Sequence, residues 1–205
     1  MRPDRIPLFL LNVVLLPGAD LPLHIFEPRY LEMVHRCLEE KSEFGILLAV
    51  PKGVVRIGCT AEIIEVVKRD DDTMDILTIG RAPFRVMEYF DENPLAEGLV
   101  DYLEDRDAST NQPLRGELLE LYETCHTLIF EDYPKNVDCE QSAQLSFLVA
   151  GTLPMDLLWK QRILELRSET ERQERLVGYL RAWAPHLQKI GALHQRAGSN
   201  GHGLN

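Results

Sequence analysis

Apolar positions in the first half of the chain come in short runs; in the second half they recur at helical spacing. Ile6 to Leu16 is an almost unbroken, partly branched apolar run, the pattern of a strand buried on both faces. Pro17-Gly18-Ala19-Asp20 predicts a turn, and Leu21 to Ile25 a second short strand. Pro22 lacks an N–H and so implies an edge or a bulge there. Pro28 fits the first turn of a helix with Tyr30, Leu31, Val34 and Leu38 on one stripe, ending at Glu39-Glu40-Lys41-Ser42. Phe44 to Val50 is a further buried strand, closed by Pro51-Lys52-Gly53. Val54 to Ile57, Thr60 to Lys68, Met74 to Ile79, Phe84 to Phe90 and Gly98 to Leu103 continue the series, with a hairpin connection at Asp70-Asp71-Asp72-Thr73. Many short strands around one early helix favour a small closed or half-closed barrel over a parallel sheet.

Glu104 to Pro113 contains no apolar residue larger than alanine, and the period changes after it. Leu114, Leu118, Leu121, Tyr122, Cys125, Leu128 and Ile129 fall on one helical stripe. Gln141 to Ala150 reads as a second helix of this half, and Pro154 opens a third that runs to about Leu166. Ser168 and Glu171 form a capping box for a fourth, with Leu176, Val177, Leu180 and Trp183 inward and Pro185 ending or kinking it. The expected fold class is α+β: a β-barrel subdomain over residues 1–106, a helical bundle over 107–196, and a disordered tail over 197–205. No internal repeat is present.

Composition narrows the function classes. The 205 residues are 45% hydrophobic and 27% charged, enough for a core without disulfides or metal. A formal charge of −11 disfavours non-specific binding to nucleic acid or anionic membrane, and no Lys/Arg-rich run provides a local exception. Arg2 and Arg5 before an apolar run imitate a signal peptide. Asp4, Asn12 and the missing small-residue cleavage site favour a strand instead. No stretch reaches the ~20 apolar residues of a membrane span. Cys37, Cys59, Cys125 and Cys139 form no C-x-x-C pair, so reduced thiols and a cytoplasmic location are expected.

The residues that could carry chemistry do not converge. Gly53-Val54-Val55-Arg56-Ile57-Gly58-Cys59-Thr60 has Cys59 where a phosphate loop needs its lysine, and strand-like sequence follows it. Cys125 and His126 are adjacent, but neighbours on a helix point about 100° apart, and Cys125 sits on the apolar stripe. Asp70-Asp71-Asp72 lacks the glycine and glutamate of a calcium loop. His24, His35, His186, His194 and His202 show no metal spacing. No catalytic residue, cofactor or metal is therefore assigned.

Four pieces of sequence resemble the Lon protease N-terminal, substrate-binding domain family over almost the whole chain. They are P-L-F-L-L-N-V-V-L-L-P-G, then L-P-L-H-I-F-E-P-R-Y-L-E-M-V, then I-G-R-A-P-F-R-V, and last L-P-M-D-L-L-W-K-Q-R-I-L-E-L with R-L-V-G-Y-L after it. The resemblance implies a PUA-like barrel followed by a helical bundle. It also implies a free-standing relative without ATPase or protease parts, whose role is to hold unfolded or tagged polypeptide. Glu27 and Arg29 in F-E-P-R-Y are then either ligand-facing or a lock between the first helix and the barrel. Gly80 supplies a positive φ or a close approach, and Arg81 or Arg85 pairs with an acidic neighbour. Leu21, Leu23, His24, Glu27 and Arg29 are the candidate polypeptide-binding residues. An unpaired barrel edge and an apolar patch between barrel and bundle remain alternatives, and weak self-association stays open. The rival readings are an enzyme using a cleft between the halves and an RNA-binding PUA-like protein. The first lacks a convergent acid, base or nucleophile; the second is at odds with the charge.

Overall fold

The computed structural model describes residues 4–51, 53–91, 95–106, 111–132 and 142–199, with the side chains of 54 and 194–199 left aside. Seven strands form a mixed sheet: β1 (Arg5–Leu11), β2 (Asp20–Ile25), β3 (Phe44–Val50), β4 (Gly53–Val54), β5 (Ile57–Lys68), β6 (Met74–Phe90) and β7 (Glu97–Tyr102). Helix α1 (Pro28–Glu40) lies between β2 and β3. Helices α2 (Gln112–Phe130), α3 (Leu145–Thr152), α4 (Leu157–Glu165) and α5 (Glu169–Ser199) follow the strands. None of the described helices is long and apolar enough to cross a membrane.

Pairing follows the order β1-β7-β6-β5-β3-β4, with β2 on the outer side of β6. Strand β1 pairs antiparallel with β7 and parallel with β3, so the path β1-β7-β6-β5-β3 returns to its start. Ile6, Leu8, Leu47, Phe84, Val86 and Val100, drawn from four strands of that path, form one cluster of buried side chains. A second, larger cluster runs from Phe9, Phe44 and Ile76 in the strands to Leu118, Tyr122, Phe147, Ile163 and Leu180 in the helices. The apolar runs of the first half and the helical stripes of the second thus share one interior.

Several elements differ from expectation for identifiable reasons. The opening run stops being a strand at Leu11; Val14, Leu15 and Leu16 remain buried but cross the sheet as coil. Their path depends on Gly80, where a Cβ would lie 2.1 Å from the Leu16 carbonyl oxygen. The anticipated glycine requirement is therefore close approach, not positive φ. Gly18 has the positive φ (77°), donating its N–H to the Gly80 carbonyl at 2.9 Å. The two strands expected at 74–79 and 84–90 are one, because β6 runs through Pro83, whose cross-strand partner is Cys59. A register shift next to Cys59 lets Thr60 Oγ1 accept the Ala82 N–H at 3.0 Å.

Helix α1 buries Met33, Val34 and Cys37, and Leu38 is 41% exposed, so its inner face is turned from the Leu38 side. Helix α2 buries Arg115, Leu118, Tyr122 and Cys125, leaving Leu128 exposed. Helix α3 starts at Leu145, and α4 starts at Leu157 with Asp156 as its N-cap. Ser168 caps α5 as the sequence predicts, its Oγ accepting the Glu171 N–H at 3.2 Å. Pro185 does not end that helix. The carbonyl it frees belongs to Arg181, and both residues are exposed, so water can satisfy it. Helix α5 continues to Ser199 into the expected tail; residues 200–205 lie outside the described residues, as does Cys139.

Candidate functional site

The expected binding residues gather on a ribbon made by β2, the first half of β6 and the second half of β5. Among the described residues β2 pairs only with β6, so its other edge carries no strand. Register sorts its side chains. Leu23, Ile76 and Val66 form one row across the three strands, and Ile76 is 2% exposed, so this row faces the core. Leu21 and Leu23 are half-buried against that core. His24, Asp75 and Val67 form the neighbouring row on the outer face. A register shift between Ile63 and Glu65 leaves Ile64 out of the ladder, 49% exposed, and Val67 is 51% exposed. Phe26, just beyond β2, is 62% exposed and stacks on His24 with ring centroids 5.9 Å apart.

Charge holds this face in order. Asp75 accepts from Arg69 and sits 2.7 Å from His24 Nδ1. The Arg69 hydrogen bonds, then that of His24, hold the Asp75 carboxyl below its ordinary value. In the hairpin next to it, Thr73 donates its N–H and its hydroxyl to Asp71 Oδ1. Glu27 and Arg29 pair with each other at 2.8 Å at the exposed start of α1. The helix is anchored instead by Tyr30, stacked on Phe9 at 4.0 Å, and by Arg36, which shares Glu97 with Arg5. Arg81 pairs with Glu62 at 2.5 Å across β5 and β6.

A second constellation ties strands to helices. Gln161 is 4% exposed and donates from Nε2 to the Ile57 carbonyl of β5 at 3.0 Å and to Glu165 at 2.9 Å. Arg172 is fully buried, with its guanidinium 4.1 Å from the Phe147 ring. It donates to Asp105 at 2.7 and 2.5 Å, to Glu169 at 2.9 Å, to Ser146 Oγ at 2.8 Å and to the Leu166 carbonyl at 3.0 Å. Burial alone would lower its pKa; the bonds to Asp105 and Glu169 outweigh it and raise the value. Glu169 also accepts from the Ser146 N–H and hydroxyl and from Gln173. The charged side chains of the group, Arg172 and Glu169, are met by internal partners, as a structural clasp requires, while Gln173 Oε1 is buried without a hydrogen bond.

Cys125 is fully buried, and burial pushes its thiol up to about 11, far from a nucleophile's range. His126 Nδ1 lies 3.0 Å from the Asp132 carbonyl oxygen rather than from that thiol. Gly53 to Thr60 forms β4 and the start of β5, with no helix after it to bind phosphate. Among the described residues no group of three or more His, Cys, Asp or Glu side chains could hold a metal ion.

Residues 5–182 match the family described as the ATP-dependent protease La (LON) substrate-binding domain. The chain belongs to the Lon substrate-binding domain family. It is 24% identical over 184 residues to Lon protease 2 of Herpetosiphon aurantiacus, and 22% identical over 193 residues to the Lon protease of Dictyoglomus thermophilum. Those matches cover 82% and 87% of this chain but 22% and 24% of the relatives, so it spans less than a quarter of their length. A Lon N-terminal domain protein from Xanthomonas campestris has a similar crystal structure: TM-score 0.69, 26% identity, 85% of this chain and 98% of that one. The N-terminal domain of Mycobacterium avium complex Lon protease shares the fold at TM-score 0.64 and 14% identity, over 86% and 97% of the two chains. Within this Lon-family domain the quoted motifs fall at joints of the fold. F-E-P-R-Y sits at the entry to α1, I-G-R-A-P-F-R-V in the middle of β6 opposite the register shift of β5, and K-Q-R-I-L-E where α4 meets β5.

The buried clasp escaped sequence reasoning, yet a signal for it exists. Glu169, Arg172 and Gln173 continue the stripe of Leu176, Val177 and Leu180, and charges on a buried stripe require partners. Phe26, Ile64 and Val67 were also passed over. Their exposure depends on the register of β2, β6 and β5, which short apolar runs do not reveal.

Proposed function

We propose that this chain binds segments of other polypeptides, unfolded or tagged, and leaves them chemically unchanged. The observation that carries the reading is the edge of β2 that pairs with no strand among the described residues, beside an outer face bearing Phe26, Ile64 and Val67. An extended segment added to such an edge forms main-chain hydrogen bonds with little sequence preference, and a neighbouring apolar face adds area. In this reading His24, Glu27 and Arg29 line the path of the segment, and Leu21 and Leu23 support the strand from beneath. The returning path β1-β7-β6-β5-β3 is read as the PUA-like barrel, ending at residue 106, with the helical bundle over 107–196. The family membership supports polypeptide recognition in a non-enzymatic, cytoplasmic role.

Titration calorimetry with a reduced, carboxymethylated protein that cannot refold tests this, its disulfide-bonded parent serving as the folded control. The reading expects saturable heat with the unfolded chain alone, little changed between low and high salt, because main-chain and apolar contacts are not screened. Phe26→Ser should weaken that binding about tenfold. Equal heats from folded and unfolded forms refute it.

A further inference from the structure

Strand β2 turns Asp20, Pro22 and His24 outward and sets Leu21, Leu23 and Ile25 toward the core, an alternation that its register with β6 fixes. Beside those three, β6 presents Ile79, Leu77 and Asp75 on the same face. Beyond them β5 presents Glu62, Glu65 and Val67. The carboxylates of this face are not alike. Asp75 is met by Arg69 and His24, and Glu62 by Arg81. Asp20 and Glu65 are exposed, and neither side chain has a hydrogen bond or an ion pair among the described residues. No nearby cation is left to serve them. Arg29, at the entry to α1, is held by Glu27. Lys68 stands opposite Met74, which is buried, and so belongs to the other face of the ribbon. Along β2 the outer face thus has an aromatic end at Phe26 and His24, an apolar middle at Pro22 and Leu77, and an uncompensated negative end at Asp20.

A segment added to the edge of β2 would meet these side chains position by position. Residues directly opposite each other on paired strands have Cβ atoms about 4.5–5.5 Å apart, close enough for aromatic and charge pairs to act. Alternate residues of the segment face His24, Pro22 and Asp20 in turn, over a span of about 13 Å. Glu65 lies three strand spacings from such a segment, about 14 Å, which exceeds the Debye length of ~8 Å at physiological salt. Asp20 is therefore the carboxylate that an added strand feels. We infer that the edge of β2 favours segments with aromatic, apolar and basic side chains at alternate positions, the aromatic one beside His24 and Phe26 and the basic one opposite Asp20. The inference rests on the docking proposed above and adds a side-chain pattern to main-chain pairing that has none. Antiparallel addition, the more stable pairing per residue, makes the order Phe-x-Leu-x-Lys from the N-terminus. The preference is modest, because the charge pair is exposed and main-chain bonds carry most of the affinity.

NMR amide shifts of the isotope-labelled intact chain read both the place of binding and the Kd. The probe is acetylated and amidated Thr-Phe-Thr-Leu-Thr-Lys-Thr, with two companions that carry glutamine or glutamate in place of lysine. Saturable shifts are expected in β2, with the lysine peptide about threefold tighter than the glutamine peptide and about tenfold tighter than the glutamate peptide. Asp20→Asn should bring the three peptides within about twofold of one another, and Asp20→Lys should reverse their order. Asp20 is exposed, so both variants should keep the Tm. Glu65→Lys makes the same change of net charge as Asp20→Lys and should leave the order as it is. Equal affinity of the three peptides, an unaltered order in Asp20→Asn, or an equal effect of Glu65→Lys overturns the inference. If the carboxymethylated protein binds while the peptides show no order, the pattern falls and the edge reading stands. If neither binds, both fall.

Discussion

Replacing Arg172 by methionine tests how the strands and helices are held together. Methionine keeps much of the length and apolar bulk of the side chain and removes every donor. Asp105 and Glu169 lose their cation, and Asp105, with 20% of its side chain exposed, can turn toward water. Glu169, with 9% of its side chain exposed, cannot, but it keeps the Ser146 N–H at 2.9 Å, the Ser146 hydroxyl at 2.5 Å and Gln173 at 2.8 Å. Removing one partner of a buried pair costs about 3–5 kcal/mol. The remaining donors place this case near 3 kcal/mol, a fall in Tm of about 6–12 °C for a domain of this size. Adding Glu169→Gln should recover part of the loss. The amide carries no stranded charge, and Ser146 Oγ, released from Arg172, can accept from it. The coupling is expected at about 1–3 kcal/mol in a double-mutant cycle read by urea denaturation. A single-variant cost below about 1 kcal/mol, or strictly additive costs, refutes the clasp.

Gly80→Ala should cost about 3 kcal/mol in the same assay, because its Cβ meets the Leu16 backbone rather than a movable side chain. Gly116→Ala, in α2 with nothing within 4 Å, should instead stabilise by about 1 kcal/mol. Cys37, Cys59 and Cys125 are buried, so a thiol reagent at pH 8 should titrate at most one cysteine before unfolding and all four after it. Burial raises Cys125 to about 11 in the folded chain, against about 8.5 unfolded. Its contribution to stability is whole below the lower value and lost as pH rises through the upper one. Urea midpoints should therefore fall between pH 9 and 11, and fall less in Cys125→Ala; an identical pH dependence in that variant contradicts the assignment.

Signals that act locally were legible in the sequence. The turn at Pro17-Gly18, the β3 strand, Pro28 at the start of α1 and the Ser168 cap depend on neighbouring residues alone, and they stand where periodicity puts them. Pro22 as the mark of an edge strand was equally readable, since β2 pairs on one side among the described residues. Signals set by distant partners were not. Pro83 reads as a break, yet β6 continues through it because β5 and β7 pair with the strand around it. Leu38 and Leu128 belong to apolar stripes whose inward direction is fixed by what the helix meets, and both face out. Arg172 continues a buried stripe and so needs a partner, but Asp105, which supplies it, lies 67 residues earlier, and local sequence does not name it. The candidate site divides in the same way: β2 and the F-E-P-R-Y corner come from sequence, and the exposed face of Phe26, Ile64 and Val67 comes from register.

Hydrogen–deuterium exchange of the intact chain, with and without a saturating unfolded protein, tests the binding surface most directly. Slower exchange in Asp20–Ile25 of β2, with the unfolded protein recovered at its original mass, is the predicted result. Unchanged exchange in that strand while the unfolded protein is bound, or a cleaved or modified partner, would contradict it.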